Sequence, residues 1–209
     1  MYRTLKSEPY NANDLILPSD QVLNWDINKR SCALLVHDMQ KYFVNSLPKE
    51  TAENLVPATE KILRWARKNS IPVIYSAQPG RMTLEQRGLL ADLWGPGMRT
   101  CEEDRRVINE LTPQSDDIVL TKWRYSAFFN SELEEILSAR GCDSLLITGL
   151  YASIGIQATA IDAFTRDIRP IVVADATADF TKISHQQALN YMSDTCAKVI
   201  SKLELDNYE

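Results

Sequence analysis

The chain has 209 residues, 44% of them hydrophobic and 24% charged, with a net charge of −5; this fits one folded domain with a sizeable core and excludes a disordered chain. No basic run or stripe is present, which excludes nucleic acid and anionic membrane as natural partners. No stretch reaches the length of a membrane span, the polar N-terminus lacks the apolar core of a secretion signal, and the four scattered cysteines (Cys32, Cys101, Cys142, Cys196) read as reduced thiols of a cytoplasmic protein, not as a disulfide frame or zinc site.

Six short apolar runs punctuate the chain: 32–38 CALLVHD, 71–77 IPVIYSA, 117–122 DIVLTK, 144–149 SLLITG, 170–175 PIVVAD and 197–201 AKVIS. They are continuous rather than alternating, as expected of strands covered on both faces. After the first run, residues 54–69 carry Leu55, Ile62, Leu63 and Trp65–Ala66 at helical spacing, with Pro57 placed in a first turn. After the second, residues 78–99 (QPGRMTLEQRGLLADLWGPGMR) read as a long irregular segment of the kind that forms lids and binding loops. After the third, SELEEILSARG opens on a Ser131…Glu134 capping box and stops at Gly141. The helical pattern GIQATAIDAFTRD follows the fourth run, and SHQQALNYMSDTC begins with a second box, Ser184…Gln187. Strand and helix alternate throughout, so the predicted architecture is an α/β fold of three layers, α-β-α, on a mainly parallel six-stranded sheet with right-handed crossovers.

No glycine-rich dinucleotide or P-loop fingerprint is present, and His37 and His185 are the only histidines. No metal and no cofactor is expected. Ligands of open parallel sheets bind beyond the carboxyl ends of the strands. Strand one ends in Asp38, strand two in Gln78, strand three in Lys122, and strand four in the turn Gly149–Gly155. Alone, Asp38 reads as a cap, Lys122 as a surface lysine with a buried stem, and Gln78 as nothing in particular. Their convergence on one edge points to a pocket, for binding or for catalysis. The 78–99 segment adds Arg87 and Trp94, with Arg81 and Arg99 read as solvated, and 122–129 (KWRYSAFF) packs aromatic rings around two cations. Aromatic walls with paired cations suit a flat or cyclic anion.

Four segments, LLVHDMQKYF, WGPGM, TKWRYSAFF and TGLYASIG…DAF, give the chain from about residue 30 to its C-terminus a pattern similar to the isochorismatase family of the cysteine-hydrolase superfamily. It most resembles the phenazine-pathway hydrolase of 2-amino-2-deoxyisochorismate and the isochorismatases of catechol-siderophore pathways. The resemblance implies one hydrolase domain over 1–209 without an aryl carrier domain, and a homo-oligomer, a dimer. The superfamily's amidases place a nucleophilic cysteine in the turn after strand four, activated by an Asp and a Lys from strands one and three. Asp38 and Lys122 match those two; Gly155 stands where the cysteine would be, and Ser153 is two residues early for a stand-in. Acyl-enzyme chemistry therefore loses its nucleophile.

Hydrolysis of an enolpyruvyl vinyl ether needs none. The implied reaction protonates the terminal methylene and lets water capture the oxocarbenium ion, so that pyruvate leaves a chorismate-derived anion. Asp38 is then the acid and Lys122 its neighbour. Gln78, Arg87 and the backbone at Tyr151 and Gly155 are expected to hold the substrate carboxylates. Trp94, Tyr125, Tyr151, Tyr42 and Phe43 are expected to line the ring, and Gly155 to leave room for the enolpyruvyl group. Ser153 replaces a histidine common in the family. Two competing readings are a residual nicotinamidase-type amidase, opposed by the missing cysteine, and a non-catalytic binder or scaffold, opposed by the retained Asp38 and Lys122.

Overall fold

The continuous apolar runs become strands because neighbouring residues must bury in opposite directions. On β1 (Cys32–His37), Leu34 and Val36 join the core on one side of the sheet, while Ala33 and Leu35 join the core on the other. The chain is seen here in a computed structural model that describes residues 2–98 and 102–208. Five further strands follow: β2 (Val73–Ala77), β3 (Ile118–Thr121), β4 (Ser144–Leu150), β5 (Arg169–Ala178) and β6 (Lys198–Ile200). They form one sheet in the order β3-β2-β1-β4-β5-β6, with every adjacent pair parallel.

The helices are α1 (Lys41–Val44), α2 (Lys49–Lys68), α3 (Leu84–Arg87), α4 (Leu90–Trp94), α5 (Glu102–Arg105), α6 (Leu133–Ala139), α7 (Gln157–Thr165) and α8 (Lys182–Thr195). Leu55, Ile62 and Leu63 of α2 cover one face of the sheet. Leu133 and Leu137 of α6, Ala160 and Ala163 of α7, and Leu189 and Met192 of α8 cover the other. Strand order reverses between β1 and β4. That opens a crevice at their carboxyl ends, the position where ligands bind in sheets of this order. Among the described residues, no helix is long and apolar enough to cross a membrane.

Local expectations needed correction where a stronger local signal competed. Pro57 does not start a helix: α2 begins at Lys49, and the proline sits mid-helix on an exposed position. The carbonyl of Glu53, which loses its partner there, lies on the same exposed side, so water can replace the missing N–H. The Ser131…Glu134 box does not form. Ser131 Oγ instead donates to the Ala127 carbonyl, and α6 starts at Leu133 without a side-chain cap. Gly141 does sit just past α6 at φ 65°. The box at Ser184…Gln187 is displaced by an earlier cap, Thr181, whose hydroxyl accepts from Ser184 N, so α8 starts at Lys182. Within 78–99, α3 and α4 interrupt the irregular segment, α3 being nucleated by a Thr83/Gln86 capping box. Cys32, Cys142 and Cys196 are buried free thiols; Cys101 and Arg99 lie outside the described residues.

Candidate active site

Asp38 is the first residue beyond β1. Its backbone turns into the left-handed region at φ 52°, an unusual conformation for a side chain-bearing residue. The carboxylate it presents is nearly buried and fully engaged. Oδ1 accepts from Ser76 Oγ at 2.7 Å; Oδ2 accepts from Lys122 Nζ at 2.8 Å and from Gln78 Nε2 at 3.3 Å. Burial raises the Asp38 pKa, but the Lys122 ammonium, His37 and the two hydrogen bonds outweigh it and hold the carboxyl below its usual range. The free protein therefore carries an Asp38–Lys122 ion pair at the floor of the crevice. Gln40, two residues on, fastens the end of β2 beside it. Its amide donates to the carbonyls of Gln78 and Arg105 and accepts from Gln78 N.

The crevice is a cavity of about 450 Å³. Asp38, Lys122, Gln78, Arg87, Trp94, Tyr125, Tyr151, Gly155, Tyr42 and Phe43 all line it. Arg87 is buried at the end of α3, with Nε donating to Gly95 O at 3.0 Å. Its guanidinium lies flat against Gly97, where a Cβ would stand 2.5 Å from Cζ; Gly97 also sits at φ 70°, so glycine is required twice over. One wall is an aromatic stack: Tyr151 on Phe180 at 4.2 Å, and Phe180 on Trp94 at 6.0 Å. Phe43 meets Tyr151 edge-on, and Trp94 Nε1 donates to Tyr125 OH at 2.8 Å. The Tyr151 hydroxyl bonds Ser46 Oγ, and burial pushes its pKa up, so the phenol stays protonated.

Gly155 lines the cavity, and its missing side chain also makes way for His37. A Cβ there would stand 2.4 Å from Cε1 of His37, whose ring is wholly buried. The place a Cβ would take at 155 belongs to this imidazole. His37 donates from Nδ1 to Leu150 O at 2.6 Å, and burial lowers its pKa to about 4, so it is neutral. Ser153 does not line the cavity. Its backbone N–H donates instead to the buried carboxylate of Asp179.

A second polar network braces the wall from behind. Asp179 N donates to Tyr10 OH, and that hydroxyl donates to His185 Nδ1 at 2.9 Å. His185 Nε2 donates to Thr177 Oγ1 at 2.8 Å, because the threonine hydrogen is committed to Ala174 O. The chain of donors closes only with a neutral imidazole, and burial lowers the His185 pKa to about 3. Both folded histidine values lie below the unfolded value of about 6.5. The unfolded chain thus takes up protons from pH 6.5 downward while the folded chain does not, and stability falls with pH across 6.5 to 4. Asp179 opposes this in part, since burial raises its pKa. Cooling-reversible denaturant melts at pH 7 and 4.5 are expected to differ by several kcal/mol, on the order of 2–3 per histidine. His185→Gln should flatten that slope by about one proton; an unchanged slope would show that His185 is not held neutral.

Arg3, Ser46, Ser76, Gln40, His37, Phe180 and Asp179 are site residues that sequence reasoning did not single out. A buried ion pair lies in an aromatic crevice at the strand-order switch of a parallel sheet, and among the described residues no cysteine lines it. Comparison with known proteins places the chain. The isochorismatase domain matches residues 32–204, and the chain belongs to the isochorismatase family of hydrolases. It is 48% identical over 189 residues to the phenazine biosynthesis protein PhzD of Pseudomonas fluorescens, covering 90% of this chain and 91% of that one. It is 42% identical over 191 residues to enterobactin synthase component B of Escherichia coli strain K12, covering 90% of this chain and 67% of that one. The fold superposes on a cysteine hydrolase from Pseudomonas syringae pv. phaseolicola with a TM-score of 0.82 at 26% identity, over 91% and 97% of the two chains.

Proposed function

We propose that the chain hydrolyses the enolpyruvyl vinyl ether of isochorismate or 2-amino-2-deoxyisochorismate, releasing pyruvate. The observation that carries this reading is the Asp38 carboxyl, 2.8 Å from Lys122 at the floor of a cavity whose lining among the described residues holds no thiol. Asp38 delivers a proton to the terminal methylene carbon. The methylene becomes a methyl group and the adjacent carbon an oxocarbenium ion. Water adds there, and the hemiketal breaks its bond to the ring oxygen, which leaves as an alcohol. The aromatic stack of Tyr151, Phe180 and Trp94 gives the ring a flat seat and excludes water from the acid. Lys122 and Arg87 answer the carboxylates. An amidase reading finds no free nucleophile among the described residues lining the cavity; Ser46 Oγ is committed to Phe43 O and Tyr151 OH.

The test is incubation with each of the two substrates, with pyruvate reduced to lactate as it forms. The expected product in heavy water is lactate with one deuterium in its methyl group, since the proton comes from solvent through the carboxyl. In labelled water the new oxygen is expected in the pyruvate keto position, and the ring hydroxyl keeps its own. Label in the ring hydroxyl alone would mean displacement at the ring carbon and would sink the vinyl-ether route. No pyruvate from either substrate would sink the activity itself.

A further inference from the structure

The N-terminal residues Tyr2 to Leu5 line the cavity. They are held there at several points. Arg3 N donates to Leu93 O at 2.8 Å, and Glu8 N donates to Phe180 O at 2.7 Å. The Tyr2 ring packs on Gly95, where a Cβ would stand 2.8 Å from its Cδ2. The Arg3 guanidinium spans the top of the aromatic stack, 5.1 Å from the Trp94 ring centre and 5.3 Å from that of Phe180. Among the described residues no carboxylate comes within 4.0 Å of it.

Among the described residues, the charged ones lining the cavity are Arg3, Arg87, Lys122 and Asp38. Asp38 and Lys122 pair with each other, which leaves Arg87 and Arg3 facing the cavity; Arg3 also interacts with the Asp179 carboxylate, which does not line it. The geometry points to Arg3 as a substrate-binding residue: it meets the outer carboxylate of a dianionic ring ligand whose inner carboxylate lies toward Lys122 and Arg87, and so sets a preference for dianions over monoanions. This rests on the hydrolase reading above. A planar guanidinium already seated on two rings loses little freedom on binding a carboxylate, and its two parallel donors match the carboxylate's two oxygens. The alternative is that Arg3 only fastens the N-terminal segment to Trp94.

Arg3→Gln and Arg3→Lys separate the two. With turned-over substrate, Arg3→Gln is expected to raise KM by about tenfold, with the loss on KM rather than kcat, and Arg3→Lys to recover part of it. The gap between wild type and Arg3→Gln should close in 0.5 M salt, about where screening reaches only a few ångströms. Isophthalate and benzoate probe the charge preference without turnover. Wild type should bind isophthalate several-fold more tightly than benzoate, and Arg3→Gln should lose that ratio. Equal KM values, or a ratio unchanged by Arg3→Gln, overturn the role of Arg3, as does failure of wild type to bind isophthalate. Absence of pyruvate release with the ratio behaving as expected would instead overturn the hydrolase reading and leave the dianion site standing.

Discussion

Asp38→Asn is expected to leave a folded protein that binds substrate and releases pyruvate on the order of 100- to 10,000-fold more slowly, the usual loss for a positioned general acid. The amide oxygen still accepts from Lys122, and the amide nitrogen facing Ser76 donates to its hydroxyl, so the floor of the site keeps its shape, but the side chain has no acidic proton to give. The free protein poses a difficulty for the wild-type acid: burial raises the Asp38 pKa, but the Lys122 ammonium and the hydrogen bonds from Lys122 and Ser76 outweigh it and hold Asp38 ionised. A bound dianion reverses the balance. Its carboxylate competes for the Lys122 ammonium, adds like charge near Asp38 and displaces water from a site already closed by aromatic rings, and each of these raises the carboxyl pKa. Binding should then take up a proton near neutral pH. Calorimetric titrations with isophthalate in two buffers of different ionisation enthalpy would read it for wild type and find it missing in Asp38→Asn. A folded Asp38→Asn protein with near-normal turnover, checked by its melting temperature, removes Asp38 from the role.

The sheet was legible because its central strands are short, almost wholly apolar buried runs, as on β1 and β4. Asp38, Gln78 and Lys122 were legible for the same reason: each stands at the end of such a run, and parallel strands bring their ends to one edge. Boundaries were less so. Capping is a competition between neighbouring hydroxyls, and Thr181 wins over Ser184 only because the chain is extended at Thr181 before the turn. The fifth strand runs to Ala178, three residues past the apolar run at 170–175, and it is this extension that carries Asp179 and Phe180 to the site. Arg3 left no local trace. Nothing in a polar N-terminus states that it will fold back over a pocket formed by residues near 94 and 180. His37 drew notice only as one of two histidines, too few for a histidine-rich metal site, but its meaning lies in a contact with Gly155, 118 positions away along the chain.

That contact yields a second expected result. Restoring a cysteine with Gly155→Cys should destabilise the protein and should not restore a reactive nucleophile. The collision is at Cβ itself, 2.4 Å from Cε1 of a wholly buried ring, so no rotamer of the new side chain relieves it. Either the imidazole or the turn must move, and His37 is tied to Leu150 O in that same turn. Overpacking of this kind costs about 1–3 kcal/mol, or a fall in melting temperature of about 5 °C for a chain of this size. His37→Val beside Gly155→Cys removes the ring and should recover much of the loss. In that double variant the thiol at 155 gains a seat next to Lys122, whose charge favours the thiolate. Iodoacetamide in a Cys101→Ser background separates the cases. The wild-type chain offers only buried thiols there, with Cys32 pushed up to about 12 and Cys142 and Cys196 also raised by burial, so its activity should survive alkylation. The double variant should lose one thiol rapidly, and the Gly155→Cys single variant slowly and in step with unfolding. A single variant as stable as wild type and as quickly alkylated as the double would show that His37 does not fill the nucleophile's place.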